Sequence, residues 1–182
     1  MEPIFLWWIG EGAVDAAMMD HVRQHLAQAF SRPALLWGSP ARPVGTFDPG
    51  RRQHASGKLL KWLLATGPAE GKVLGLTDQD LFIPILTYVF GEAQLDGRCA
   101  VASTARLHEG VEVAGPRLLT ERLAKEAVHE VGHAFGLHHC DSPGCVMGRS
   151  AAVAGVDLKS HQLCTSCLGR LAEPPERRPY VR

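Results

Sequence analysis

The chain has 182 residues, of which 19 are lysine or arginine and 19 are aspartate or glutamate, so its formal net charge is zero. This length suits one domain that buries most of its apolar surface. The balanced charge, low aromatic content and dispersed basic residues argue against a nucleic-acid platform and against recruitment to an anionic membrane. We therefore expect neither nucleic acid nor membrane as a partner.

The first half of the chain alternates between patterns typical of strands and of helices. The apolar run Ile4 to Ile9 predicts a strand and not a signal peptide, because it is short, lacks a basic flank, and is followed by Glu11 and Asp15. Hydrophobic periodicity then predicts a helix at 14–30, a strand at 34–37, turns at 38–50, a helix at 55–65 and a strand at 72–77. This βαβαβ order predicts a parallel sheet with right-handed crossovers.

The second half adds strands at 86–90 and 99–103 and helices at 120–135 and around 160–171. Because short connections join the later strands, we expect at least one to run antiparallel at an edge of the sheet, near Leu86 to Gly91. An unpaired edge offers main-chain hydrogen bonds to an extended peptide. Thr120 is the expected N-cap of the third helix. No stretch approaches the roughly 18 apolar residues of a membrane span.

The most informative segment is His129-Glu-Val-Gly-His-Ala-Phe-Gly-Leu-His-His139, at the end of the third helix. Positions i and i+4 share a helix face, so His129 and His133 can reach one metal ion. Glu130 is displaced by roughly 100° around the axis and lies beside the ion, where it can take a proton from water. Gly136 suits a left-handed helix end, after which the chain doubles back and brings in His139.

Three imidazoles around one zinc ion leave a coordination place open, which is typical of catalytic zinc. His138 is the alternative third ligand. The ten-residue offset from His129 favours His139, and leaves His138 solvated or outside the coordination shell.

Four of the five cysteines follow this segment, with four residues between Cys140 and Cys145, two between Cys164 and Cys167, and eighteen between the pairs. Two close pairs at this separation predict a closed, structural zinc site. Two disulfides are the alternative, but nothing in the sequence indicates an oxidising compartment. Cys99 lies in an apolar run and is interpreted as a small buried side chain.

The third histidine and the first of these four cysteines are neighbours, His139 and Cys140. The two sites would therefore share a backbone hinge. We expect the four-cysteine zinc to attach the loop after the third ligand to the C-terminal segment and so to hold His139 in place.

These residues resemble a known family. His129 to His139 is similar to the zinc-binding sequence of the metzincins, and Met147 stands where that clan has the methionine of its Met-turn. The immediate Cys140 and the later Cys164-x-x-Cys167 resemble one branch of the clan, the archaemetzincins. The resemblance extends over nearly the whole chain and includes Asp78-Gln-Asp-Leu81 and Phe90-Gly-Glu-Ala93.

The resemblance implies an α/β (α+β) zincin domain: a mixed, mostly parallel twisted sheet with an antiparallel edge strand, a backing helix, an active-site helix and a C-terminal helix. Residues 1–182 would form one domain, with 1–136 ending in the active-site helix and 137–182 carrying the Met-turn and the cysteines. It implies two zinc ions per chain, one catalytic and one structural. Where some metzincins have a tyrosine two residues after the turn methionine, this chain has Arg149, a candidate oxyanion-stabilising group.

The sequence thus predicts a zinc metallopeptidase that acts on peptides or proteins, as a monomer in the cytoplasm, with Glu130 as the general base. The alternative is a zinc-containing peptide- or protein-binding module with little or no turnover, although binding alone needs no general base. The sequence does not choose between an endopeptidase and an aminopeptidase, which would need an acidic group such as Glu92 or Asp96 for the α-amine. His21 and His25 share a helix face, but no third ligand is evident, which favours a solvated surface.

Overall fold

A computed structural model describes residues 2–39 and 41–173, and its sheet and helices follow the alternation seen in the sequence. The elements, in chain order, are β1 (Ile4–Trp8), α1 (Ala16–Phe30), β2 (Ala34–Leu36), β3 (Phe47–Asp48), β4 (Gln53–Ala55), α2 (Ser56–Thr66), β5 (Lys72–Thr77), β6 (Leu81–Phe82), β7 (Gly91–Ala93), β8 (Cys99–Ser103), α3 (Val111–Ala114), α4 (Pro116–Ala134), α5 (Val153–Leu158) and α6 (Thr165–Ala172).

The main sheet has five strands in the order β2-β1-β5-β8-β7. The pairings of β1 with β2, β1 with β5 and β5 with β8 are parallel, whereas β7 runs antiparallel to β8 at the edge. The predicted fold class, a mostly parallel mixed sheet with an antiparallel edge strand, is confirmed.

The position of that edge strand differs from the prediction. It is formed by Gly91–Ala93, and the preceding run from Leu86 is not a strand of the main sheet. Val89 instead forms an isolated bridge with Leu81, to which its backbone N–H donates over 2.9 Å. The first hydrogen bond of this edge to β8 joins the Phe90 carbonyl to the N–H of Ser103, and the paired residues begin at Gly91.

The two faces of the sheet are covered by different helices. In β1 the side chains of Ile4 and Leu6 pack in the cluster that includes α1 and α4, whereas Trp7 packs in the cluster that includes α2. This follows from the period of two along a strand. Burial on both faces also explains why β5 is an almost continuous apolar run.

Several short elements were not predicted. A small sheet is formed by β3, which lies in the passage interpreted as turns, and by β4 and β6, which lie outside it. Strands of two or three residues carry no readable alternation. The four-residue helix α3 was not predicted either. The predicted helix at 160–171 is α6, which begins only at Thr165, and α5 precedes it as a separate six-residue helix.

The helix that carries the metal-binding motif begins earlier than predicted. Pro116 occupies its first turn and Gly115 its N-cap, so the expectation that Thr120 caps the helix is wrong. Proline is favoured there because its missing N–H needs no partner and its φ is already helical. The Thr120 hydroxyl instead donates to the Pro116 carbonyl one turn back, at 3.3 Å.

Two ion pairs attach the C-terminal segment to α4. Arg122 holds both carboxylate oxygens of Asp157 in α5, at 2.7 and 2.8 Å. Lys159 donates to the carboxylate of Glu126 at 2.7 Å, and both side chains are buried. In residues 2–39 and 41–173, no helix is long and apolar enough to cross a membrane.

Candidate active site and metal centres

Three imidazoles converge at the end of α4. The ligand atoms of His129, His133 and His139 all lie within 4.8 Å of one another, and the Nε2 atoms of the first two are 3.1 Å apart. Two nitrogens on a tetrahedral zinc, each about 2.0–2.1 Å from it, would be about 3.4 Å apart. The pair on the helix therefore needs only a small adjustment to hold a zinc ion.

Backbone carbonyls fix the orientation of both helical histidines. The Nδ1 atom of His129 lies 2.8 Å from the Val146 carbonyl, and that of His133 lies 2.7 Å from the Leu137 carbonyl. A carbonyl only accepts, so each Nδ1 carries the proton and each Nε2 presents a lone pair. This is the arrangement that orients metal-binding histidines in proteins.

Gly136 allows the chain to reverse after the helix. Its φ of 85° confirms the predicted left-handed conformation, which a residue with a side chain rarely adopts. The turn returns His139, which stays partly exposed to solvent, to the two helical rings. Partial burial of its ring, followed by the positive surroundings from His133 and Arg149, lowers the pKa of His139 to about 4. All three imidazoles, whose pKa values are lowered, are thus neutral and able to bind a metal at neutral pH.

Met147 packs directly beneath the motif. It is fully buried, and a Cβ added at Gly132 would overlap its Sδ atom. Gly132 is one of the two undefined positions of the His-Glu-x-x-His pattern, and here its lack of a side chain makes room for the methionine. The sequence placed Met147 as the Met-turn residue but gave no sign of this contact.

The side chain of Glu130 projects from α4 toward the edge strand β7. It is buried, and a Cβ added at Gly91 would be 2.6 Å from its Cγ and 2.5 Å from the Val101 carbonyl. Burial, and then the nearby carboxylate of Glu126, raises the pKa of Glu130 well above its ordinary value. A close approach between strand and helix thus encloses the carboxyl group.

A cleft of about 520 Å³ opens above these side chains. One wall is the run from Leu86 to Ala93, which includes β7, and the other is formed by Arg149, Ser150 and Ala151. Tyr88, which no sequence motif marks as a site residue, joins the two walls because its hydroxyl donates to the Ala151 carbonyl at 3.1 Å.

The two acidic residues considered as partners for a substrate α-amine, Glu92 and Asp96, differ in their position relative to the cleft. Asp96 is not among the residues that line the cleft, and its backbone N–H donates to the His133 carbonyl at 3.0 Å. Glu92 borders the cleft, but its Oε2 lies 3.9 Å from the position of a Cβ on Gly57, at the start of α2. Its carboxylate is therefore directed toward the opposite face of the sheet from Glu130.

The four C-terminal cysteines form a second centre. Their thiols are free, and the Sγ atoms are 3.7 Å apart for Cys140 and Cys164 and 3.8 Å apart for Cys145 and Cys167. A disulfide needs about 2.05 Å. Four sulfurs about 2.3 Å from a tetrahedral zinc would be about 3.8 Å apart, so the thiols already have the spacing of a zinc site.

The two centres are connected through the backbone. The N–H of Cys140 donates to the Met147 carbonyl at 3.0 Å, which joins the first cysteine to the Met-turn. The backbone N–H of Cys167, helped by the other thiols, lowers the pKa of Cys164 to about 6. This cysteine is therefore a thiolate at neutral pH, the form in which sulfur binds metal.

This combination of fold and cleft is that of a zinc metallopeptidase. Comparison of its sequence and structure with known proteins leads to the same class. A sequence model of peptidase family M54 matches residues 70–173. The archaemetzincin of Methanopyrus kandleri is 36% identical over 152 residues, which cover 84% of this chain and 85% of that protein. The archaemetzincin of Archaeoglobus fulgidus is 40% identical over 159 residues, 87% of this chain and 94% of that protein. The chain belongs to the M54 peptidases, the archaemetzincins, as the resemblance in its sequence indicated.

Solved structures support the same conclusion. The crystal structure of the M. kandleri archaemetzincin superposes with a TM-score of 0.80 at 32% identity and covers 93% of both chains. That of the A. fulgidus archaemetzincin, complexed with malonate, gives 0.77 at 32% identity, with 92% of this chain and 98% of that chain covered. Metalloproteinase-II from Bacteroides fragilis shares the fold alone, with a TM-score of 0.59 at 11% identity over 93% of this chain and 51% of that one.

Proposed function

We propose that this metallopeptidase holds its catalytic zinc on His129, His133 and His139 and uses Glu130 as the general base in peptide hydrolysis. The observation that carries the proposal is the convergence of three neutral imidazoles beside a buried carboxyl group, at the floor of a cleft. A binding module would have no use for that carboxyl group.

Zinc bound there would lower the pKa of a water molecule and polarise the scissile carbonyl. Glu130 takes the proton from the attacking water and then delivers it to the leaving amine. Its raised pKa suits both steps, because a buried carboxylate is a stronger base than an exposed one and releases its proton only to a more basic group. The positive charge of a bound zinc would moderate this increase.

The substrate is a peptide, and we propose that it binds in extended form along β7. This strand lies at the edge of the sheet and lines the cleft, so a peptide beside it would add a strand. Arg149, on the opposite wall, is the cation that would stabilise a developing oxyanion or position a substrate carbonyl.

We further propose that a second zinc, bound by Cys140, Cys145, Cys164 and Cys167, is structural. Four protein ligands leave no place for water, which is the pattern of structural zinc. This ion would hold the Met-turn against α6, and through it the carbonyl that orients His129.

The test compares Glu130→Gln with Glu112→Gln, an exposed glutamate on α3, in a peptide-library digest of zinc-replete protein. Glu130→Gln should retain its zinc by metal analysis and lose hydrolysis by at least about 100-fold, the scale of a general base. Glu112→Gln should match the wild type. Hydrolysis that survives in Glu130→Gln would refute the role of this residue. Peptides that wild-type protein captures but leaves intact would instead establish the binding module.

A further inference from the structure

A second cluster of histidines lies on the side of α4 facing α1. His21 and His25 project from α1, Glu121 from α4, and His161 from the loop before α6. One ligand atom from each of the four residues lies within 4.8 Å of every other. The interpretation that the α1 histidines have no further candidate ligand is therefore wrong, because Glu121 and His161 approach them from distant parts of the chain.

The cluster has close but incomplete internal contacts. The Glu121 carboxylate lies 2.8 Å from Nε2 of His161 and 3.4 Å from Nε2 of His21. Both of these nitrogens are buried, yet neither makes an aligned hydrogen bond within the described residues. The carboxylate is thus near the two nitrogens but off the directions of their N–H bonds. Polar atoms buried in this way usually have a partner.

His25 is oriented in the manner of a metal ligand. Its Nδ1 lies 2.9 Å from the His21 carbonyl one turn earlier, so Nδ1 carries the proton and Nε2 is left with its lone pair. Its ring lies 4.3 Å from each of the other two imidazole rings, centroid to centroid. Burial, followed by the proximity of His25, lowers the pKa of His161, which favours the neutral form of this imidazole.

We propose that His21, His25, Glu121 and His161 form a third metal site, which binds a divalent first-row transition ion, zinc in the first instance. Three imidazoles and one carboxylate are ligands that zinc accepts, and hard ions such as magnesium and calcium prefer oxygen. Four protein ligands would close the coordination sphere, so the site is structural. A cavity of about 520 Å³ beside His25 and His161 provides a path for the ion.

The location of the site indicates a structural role, because its ligands come from three separate segments of the chain. It would join α1, the helix that carries the proposed catalytic histidines, and the segment that leads to Cys164. A metal that binds the folded chain and not the unfolded one stabilises the fold by mass action. The site has no thiolate, unlike the four-cysteine centre, and it has four protein ligands where the proposed catalytic centre has three.

The first experiment counts metal on the full chain. Zinc-saturated wild-type protein should retain three ions in native mass spectrometry, one for each cluster. His161→Ala and His21→Ala should each retain two, whereas His108→Ala, an exposed histidine outside the clusters, should retain three. Wild-type protein that never exceeds two ions, or a His161→Ala variant with the same count as wild type, would overturn the proposal.

A second measurement does not depend on the folding of any variant. Metal-free wild-type protein titrated with cobalt(II) should bind three equivalents per chain, and the d–d absorption should include a contribution from a site with nitrogen and oxygen ligands and no thiolate. Saturation at two equivalents of cobalt(II) would contradict the site. Neither readout depends on whether the chain hydrolyses peptides.

Discussion

The substitution Gly132→Ala tests whether the contact between α4 and Met147 determines the geometry of the proposed zinc site. In an unconstrained helix interior the change would stabilise the fold by about 1 kcal/mol, because glycine is the poorer helix former. Here the new Cβ would overlap Met147 Sδ and lie 3.1 Å from its Cε. Met147 is fully buried and cannot swing into solvent.

The overlap should outweigh the gain in helix propensity. Extra atoms in a well-packed core cost about 1–3 kcal/mol, and a clash with an enclosed side chain belongs at the upper end of that range. We expect a net loss of about 2 kcal/mol in the free energy of unfolding, or about 4–8 °C in Tm for a domain of this size. Displacement of Met147 should also shift the neighbouring Val146 carbonyl, which holds His129, and so weaken zinc binding.

The assay pairs urea unfolding with zinc competition against a chelator. Gly169→Ala is the matched control, since Gly169 is also within a helix and a Cβ there would meet nothing within 4 Å. The control should gain about 1 kcal/mol and keep its zinc affinity. In the background of Met147→Ala, Gly132→Ala should cost less, because the clash is gone. If Gly132→Ala were as stable as the control variant and bound zinc as tightly as wild type, the reasoning would fail.

Three further predictions follow from other contacts. Lys159→Met leaves the Glu126 carboxyl buried without its partner and should cost about 3–5 kcal/mol in urea unfolding, which adding Glu126→Gln should largely restore. Because burial lowers the pKa of His139 to about 4, the unfolded chain binds more protons below its ordinary pKa of 6.5. Metal-free protein should therefore lose stability as the pH falls from 6.5 toward 4, and His139→Asn should reduce that slope. Cys164→Ala with Cys167→Ala should weaken zinc binding at the three histidines by roughly 10–100-fold in chelator competition, and an unchanged affinity would contradict the coupling.

What could be predicted from the sequence is what local spacing determines. The i and i+4 positions of His129 and His133 bring their rings together on any helix, and a glycine at 136 is needed for the left-handed turn that follows. The strands predicted from hydrophobic patterns at 72–77 and 99–103 likewise have the same bounds as β5 and β8 in the structure. Each of these features depends on a few residues that are close in the chain.

What could not be predicted depends on contacts between distant segments. Strand β7 is defined by its pairing with β8, and its three residues have no alternation of their own. The start of α4 at Pro116 was missed because threonine is a residue type favoured at N-caps, whereas the actual N-cap, Gly115, makes no side-chain hydrogen bond. Glu121 and His161 approach the α1 histidines only because α4 and the C-terminal loop pack against that helix.

The segment after Gly136 therefore does more than supply a third histidine. Its carbonyls at Leu137 and Val146 orient the two helical imidazoles, and Lys159 reaches back to the buried carboxyl group one turn before Glu130. The motif alone cannot establish these contacts, because an isolated helix lacks the carbonyls that select the Nε2 lone pairs. Metal bound at the four cysteines would stabilise this segment in its folded form. The same segment would then hold the three histidines in the orientation that binds the catalytic zinc. Loss of a metal bound at the four cysteines should accordingly appear first as misorientation of the histidines and only later as unfolding of the sheet.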